Sequence, residues 1–139
     1  MSMNEPISVQ EALIYVMVIV SASDNQMTDN ELATIGDMIK MLPVFNGYDG
    51  NRIIPAAQRC GDILQEDNGL QLVLELVGDV LPAKLYDTAY ALGVEVAAAD
   101  LHVEKEELRI LQLLRDRFKL DKLTVAAIER GAIARHRTI

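Results

Sequence analysis

The stretch SVQEALIYVMVIVSA, residues 8–22, decides the fold because its apolar run fits either a buried helix or a buried strand. Its β-branched residues favour a strand. Ser8 and Glu11, however, have the S/T-x-x-E spacing of a capping box, in which each side chain caps an amide at the start of a helix. The apolar pattern then continues to Ala22, which is long for a strand. The stretch is therefore predicted to be a core helix.

Further signals along the chain predict helices and no paired strands. Thr28 and Glu31 repeat the capping-box spacing, and Pro43 ends the helix that follows. Pro55 is a good first-turn residue for a third helix, and four more helical patterns follow it. The apolar residues of the sixth pattern are Leu108, Leu111, Leu114 and Phe118. The sequence predicts an all-α fold, a single domain over residues 1–139 with about seven helices.

Composition excludes several classes of function. The 139 residues carry a net charge of −8 and no cluster of basic and aromatic residues, so nucleic acid is not expected as a partner. The single cysteine, Cys60, excludes an intramolecular disulfide and favours a reducing, cytoplasmic location. The apolar run of the first helix, about twelve residues, is shorter than the roughly 20 residues that cross a bilayer. Direct insertion into a membrane is therefore not expected.

Two segments of the chain resemble each other. Residues 21–32 read SASDNQMTDNEL and residues 97–108 read AAADLHVEKEEL. Both have small residues, then Asp, an apolar residue three positions on, and Glu-Leu shortly after it. Apolar residues on either side of these segments also correspond. The agreement predicts an internal duplication of a helix-turn-helix unit, over about residues 8–43 and 84–119, with a pseudo-twofold axis between the copies.

Each copy of the repeat places an acidic corner between two helices. The Asp lies at the carboxyl end of the first helix, where the helix dipole disfavours a negative charge by about 0.3 to 1 kcal/mol, so a compensating partner is expected. One such partner is a hard divalent cation of the Ca²⁺ or Mg²⁺ type, which prefers oxygen ligands. The candidate metal ligands are Asp24, Glu31, Asp100 and Glu107, with Asp29 and Glu104 as further oxygen donors.

The same acids have a simpler interpretation. Asp24 and Asp100 can accept amide hydrogen bonds at the turn, and Glu31 completes a capping box without any metal. Neither corner has the ligand ladder and central glycine of an EF-hand. No cysteine accompanies the acids, and His102 is the one imidazole beside them, which disfavours zinc. The residues alone leave cation binding and helix capping both open.

The segments VIVSASDNQMTDNEL and VEVAAADLHVEKEEL resemble the corners of the TerB-like family of tellurite-resistance proteins, in which a helix of small residues ends in Asp and an amphipathic helix opens with Glu-Leu. The resemblance covers about residues 8–135. It implies an all-helical domain that binds divalent metal ions through acidic residues, in stress-response or membrane-linked protein assemblies. The family commonly has glycine after the Asp, whereas Asn25 and Leu101 stand there in this chain. The second corner is therefore expected to turn differently, because Leu adopts a left-handed backbone poorly.

The remaining candidates do not indicate catalysis. The sequence has no nucleophile motif and no glycine-rich phosphate loop, and Cys60 lies on an apolar helical stripe. Glu95 is the one charge in an apolar stretch of the fifth helix. A buried carboxylate there could act as an acid or a ligand, although a position at the rim of the core is the simpler interpretation.

Residues and resemblance together predict a non-enzymatic TerB-like domain that binds a divalent cation and a protein partner. The alternative is a metal-free helical interaction module whose acids only cap helices. Both interpretations leave open whether the chain forms a homo-oligomer. Whether the two corners form one cation site or two depends on how the first and fifth helices pack, since parallel helices would bring the corners together.

Overall fold

A computed structural model describes residues 6–22, 27–99 and 105–139 of the chain. Every regular element within these ranges is helical, which confirms the predicted all-α class. The described α-helices are α1 (Val9–Ser21), α2 (Asp29–Met41), α3 (Ile53–Leu64), α4 (Gly69–Val80), α5 (Tyr86–Ala99), α6 (Lys105–Phe118) and α7 (Lys122–Arg135). Short 3₁₀ helices occupy Pro43–Phe45, Gly50–Arg52 and Ala83–Leu85. None of the described helices has both the length and the apolar character needed to cross a bilayer.

The first helix forms the centre of the core. Ser8 Oγ accepts from the Glu11 amide at 3.0 Å, and Glu11 Oε1 accepts from the Ser8 amide at 3.1 Å, so the predicted capping box is present. Every residue from Ala12 to Ser21 is buried. A helix that is apolar on all sides belongs inside a protein, and α1 packs against α3, α4, α5 and α6. This packing outweighs the strand preference of its β-branched residues.

The chain turns tightly between α3 and α4. Asn68 has a left-handed backbone with φ of 60°, and Gly69 follows as the first residue of α4. A methyl group on Gly69 would lie 2.3 Å from the Ile63 carbonyl oxygen, so a side chain has no room there. α3 itself begins at Ile53, which places Pro55 in the first turn, where an amide hydrogen is not needed.

The fifth helix packs closely between α1 and α6. A methyl group placed on Gly93 would lie 3.4 Å from Val20 Cγ2 and 3.4 Å from Leu111 Cδ2. The absence of a side chain at Gly93 therefore brings the α5 backbone near both neighbours. α1 makes its most extensive contact with α5.

The buried face of α6 includes the acid Glu107 and does not include the apolar residue Leu108. Its buried positions have the i, i+3, i+4, i+7 spacing of one helix face: they are Glu107, Ile110, Leu111, Leu114 and Phe118. Leu108 is 55% exposed. The carboxylate of Glu107 thus takes an inward position that hydrophobicity alone would not assign to it.

The helices of the two predicted copies have similar lengths, with 13 residues in α1 and in α2 and 14 in α5 and in α6. A pseudo-twofold relation between the copies stays a prediction. α7 lies outside both copies and packs on α5. Ala132 is the fully buried residue of α7, and Val125 and Ile128 pack partly buried against the core.

Candidate functional site

Glu31, at the first acidic corner, is engaged in helix capping. Thr28 Oγ1 accepts a hydrogen bond from the Glu31 amide at 3.1 Å, and Glu31 Oε1 accepts one from the Thr28 amide at 2.9 Å. The predicted capping box of α2 is therefore confirmed. Asp29 is exposed in the first turn of α2, where the positive end of the helix dipole favours an acid. One oxygen of Glu31 is thus already used by the helix.

Glu107, at the second acidic corner, is buried. It lies in the first turn of α6 and is 4% exposed, whereas its neighbours Lys105 and Glu106 are exposed. Glu107 also makes an interaction of its own. Removing a carboxylate from water costs several kcal/mol unless hydrogen bonds or a cation compensate its charge. The glutamates that correspond in the two copies therefore have different environments.

The other predicted ligands, Asp24, Asp100 and Glu104, lie outside the described residues. Within the described ranges, no group of three or more His, Cys, Asp or Glu side chains is placed to hold a metal ion. Both predicted ligand sets include an Asp from outside those ranges. The cation sites therefore stay predictions.

Glu95 holds the end of α7 against α5. Its Oε2 lies 2.8 Å from His136 Nε2, and its Oε1 is ion-paired with Arg135. The Glu95 side chain is 22% exposed, which places it at the edge of the core. Its partners lie about forty residues further along the chain, so local sequence patterns do not reveal the pairing. Glu95 thus attaches the carboxyl end of α7 to α5 through these two pairs.

A second polar cluster joins α5, α6 and α7. Tyr90 Oη donates to Glu129 Oε2 at 2.6 Å, and Arg115 Nη1 donates to Tyr90 Oη at 2.7 Å. Arg115 Nη1 also lies 3.3 Å from Glu129 Oε2. Burial, together with the bond to Glu129, raises the pKa of Tyr90 to about 12. The cluster satisfies a buried phenol and gives α7 a second attachment.

Cys60 and Tyr15 are core residues with suppressed ionisation. Cys60 is fully buried, as its place on an apolar stripe predicts, and burial raises the pKa of its thiol well above the ordinary range. A thiol that stays protonated is a poor nucleophile. Burial also raises the pKa of Tyr15 to about 12, and no described group hydrogen-bonds to its hydroxyl.

A groove of about 350 Å³ opens beside the first corner. Its apolar side chains come from the end of α1, the start of α2 and one face of α3: Val18, Ala22, Met27, Leu32, Ile54, Ala57 and Leu64. Ile54 is 53% exposed. The charged residues of the described lining are Asp29 and Asp62, both acids. The groove therefore combines an apolar floor with a negative rim.

The sequence contains a local signal for this groove. Met27 precedes the N-cap Thr28, and Leu32 is the fourth residue of α2, which is the spacing of a hydrophobic staple. Such a pair fixes the angle at which the chain enters a helix, and both residues also line the groove. The capping box and the groove are therefore parts of one local structure.

Comparisons with family models, curated proteins and solved structures found no match to this chain. The class that the structure itself defines is an all-helical domain with a buried acid at one corner and an apolar groove at the other. Membership of the TerB-like family stays a proposal.

Proposed function

We propose that the chain is a non-enzymatic TerB-like domain of the tellurite-resistance, stress-response type, which binds a divalent cation at its second acidic corner and contacts a protein partner. The observation that carries the proposal is the burial of Glu107 at the start of α6. Asp100 and Glu104 precede it in the sequence and would add oxygen ligands. Oxygen donors of this kind select Ca²⁺ or Mg²⁺ over softer metals.

The electrostatic balance at Glu107 supports a cation. The positive end of the α6 dipole favours an acid in the first turn by about 0.3 to 1 kcal/mol, and by up to about 2 kcal/mol in partly buried geometry. Desolvation of a carboxylate costs several kcal/mol. A ligated divalent ion would add to the compensation that the existing interaction of Glu107 provides.

A metal-free interaction module is the second candidate function. The observation that favours it is the capping box of α2, in which Glu31 and Thr28 satisfy each other's amides without a cation. If Glu107 has only the same capping role, both corners are structural. The two candidates then differ in one measurable property, which is cation affinity.

Isothermal titration calorimetry with Ca²⁺, Mg²⁺, Mn²⁺ and Zn²⁺ tests the proposal. We expect one Ca²⁺- or Mg²⁺-type site per chain, and we expect Glu107→Gln to weaken binding by about tenfold or more, because cation affinity follows the charge of the ligand set. Glu31→Gln is the matched control at the corresponding position of the first copy. It is expected to leave the affinity unchanged.

Thermal unfolding of each variant separates lost binding from lost structure. Glu107→Gln removes the charge and keeps the shape of the side chain, so the apo variant should remain folded. If none of the four cations binds the wild type, the cation proposal is wrong. Equal cation affinity of the wild type and Glu107→Gln would also contradict it and would favour the metal-free module.

A further inference from the structure

The groove beside the first corner is an apolar surface that faces solvent. Ile54 is 53% exposed at its edge, and Met27 and Leu32 form part of its floor. Its volume of about 350 Å³ lies at the low end of the range for ligand pockets. It can accept the anchoring side chains of a docked segment, while the rest of that segment stays on the rim.

The field in the groove is negative. Asp29 and Asp62 are its charged lining residues within the described ranges. The carboxyl ends of α1 and α3 also meet there, through the cap residues Ala22 and Gln65. Neither helix has a basic residue in its last turn, so each terminus contributes an uncompensated negative partial charge. The amino end of α2 opposes this field, but Asp29 and Glu31 in its first turn offset it.

We propose that this groove docks a basic amphipathic helix of a protein partner. Apolar side chains at i, i+3, i+4 and i+7 would enter the groove, as in other helix-in-groove complexes. Lysine or arginine side chains beside them would reach Asp62, Asp29 and the terminal carbonyls of α1 and α3. A second copy of the chain is disfavoured because each copy carries a net charge of −8. The inference rests on the partner-binding part of the proposed function and does not require the cation.

Fluorescence anisotropy with a designed peptide tests this docking site. The probe is a labelled helix of about 16 residues with leucines at the four spacings above and lysines on both flanks. The control peptide has glutamates in place of the lysines. We expect the full-length chain to bind the lysine peptide at least about tenfold more tightly than the glutamate peptide, and less tightly at high salt. Equal affinity for both peptides would overturn the charge argument.

Matched variants of the chain locate the binding surface. Asp62→Lys and Ile54→Ser alter the rim and the apolar edge at exposed positions, and each is expected to weaken binding of the lysine peptide by about tenfold. Two control variants make corresponding changes at exposed positions outside the groove: an acid to lysine in Glu75→Lys on α4, and an aliphatic residue to serine in Leu123→Ser on α7. Both controls are expected to bind the lysine peptide as tightly as the wild type.

The remaining outcomes overturn the proposal. Equal losses in the groove variants and their controls would mean that the peptide binds the acidic surface in general. A wild-type dimer that Ile54→Ser dissociates in sedimentation would make a second copy the occupant. The peptide assay is run without divalent cations, so its failure is distinguishable from a failure of cation binding, which the calorimetry measures separately.

Discussion

Gly69→Ala is expected to lower the free energy of unfolding by about 3 kcal/mol, at the upper end of the usual cost of overpacking. The added methyl group would lie 2.3 Å from the Ile63 carbonyl oxygen and 2.7 Å from Leu64 Cα. Both are backbone atoms of α3, so no side chain can rotate to make room. The turn between α3 and α4 would have to open, and the two helices pack directly against each other. Urea unfolding followed by circular dichroism measures the change.

Gly36→Ala is the matched control for this substitution. Gly36 lies inside α2, and a methyl group there would meet nothing within 4 Å. Because alanine is the better helix former, the control is expected to gain up to about 1 kcal/mol. The account of the turn would be wrong if Gly69→Ala were as stable as the wild type. It would also be wrong if the two variants lost stability equally.

Alkaline pH is expected to destabilise the protein through two buried phenols. Burial raises the pKa of both Tyr15 and Tyr90 to about 12 from an ordinary value of 10.0. The folded state therefore holds these protons more tightly than the unfolded chain. The corresponding stability is fully present below pH 10 and is lost as the pH rises through about 12. Two pKa units correspond to about 2–3 kcal/mol for each phenol.

Tyr15→Phe isolates one of these contributions. The variant removes a buried hydroxyl that no described group hydrogen-bonds, so it is expected to gain about 1 kcal/mol at neutral pH. It should also lose less stability than the wild type between pH 10 and about 12. Urea unfolding at several pH values gives both numbers. Identical pH profiles for wild type and variant would contradict the assignment, because lysine titration is common to both proteins.

Local signals explain why much of the helical pattern was predictable. Ser8 with Glu11 and Thr28 with Glu31 form their capping boxes within four residues, so the sequence alone locates the starts of α1 and α2. The buried character of α1 follows equally from its uninterrupted apolar run. These features depend on neighbours in the chain and on no distant contact.

Long-range contacts explain what the sequence did not predict. Glu95 meets His136, and Tyr90 meets Glu129, across about forty residues of chain, so no motif spacing relates them. The groove likewise arises only when α3 packs beside the junction of α1 and α2.

The acidic corners were only partly accessible to prediction. The capping role of Glu31 was visible in its spacing from Thr28. The burial of Glu107 depends on how α6 rotates against its neighbours, and a charged residue gives no hydrophobic signal for an inward position. The repeat pointed to both residues but did not show that their environments differ.

The most direct test of the central claim is a titration of the ¹⁵N-labelled chain with Mn²⁺, observed by nuclear magnetic resonance. Mn²⁺ prefers the same oxygen ligands, and it broadens the signals of nearby amides. A cation at the second corner predicts that the amides of Lys105, Glu106 and Glu107 broaden first, while those of residues 28–31 stay sharp. Early broadening at residues 28–31, or equal broadening at exposed acids such as Asp79, would contradict it.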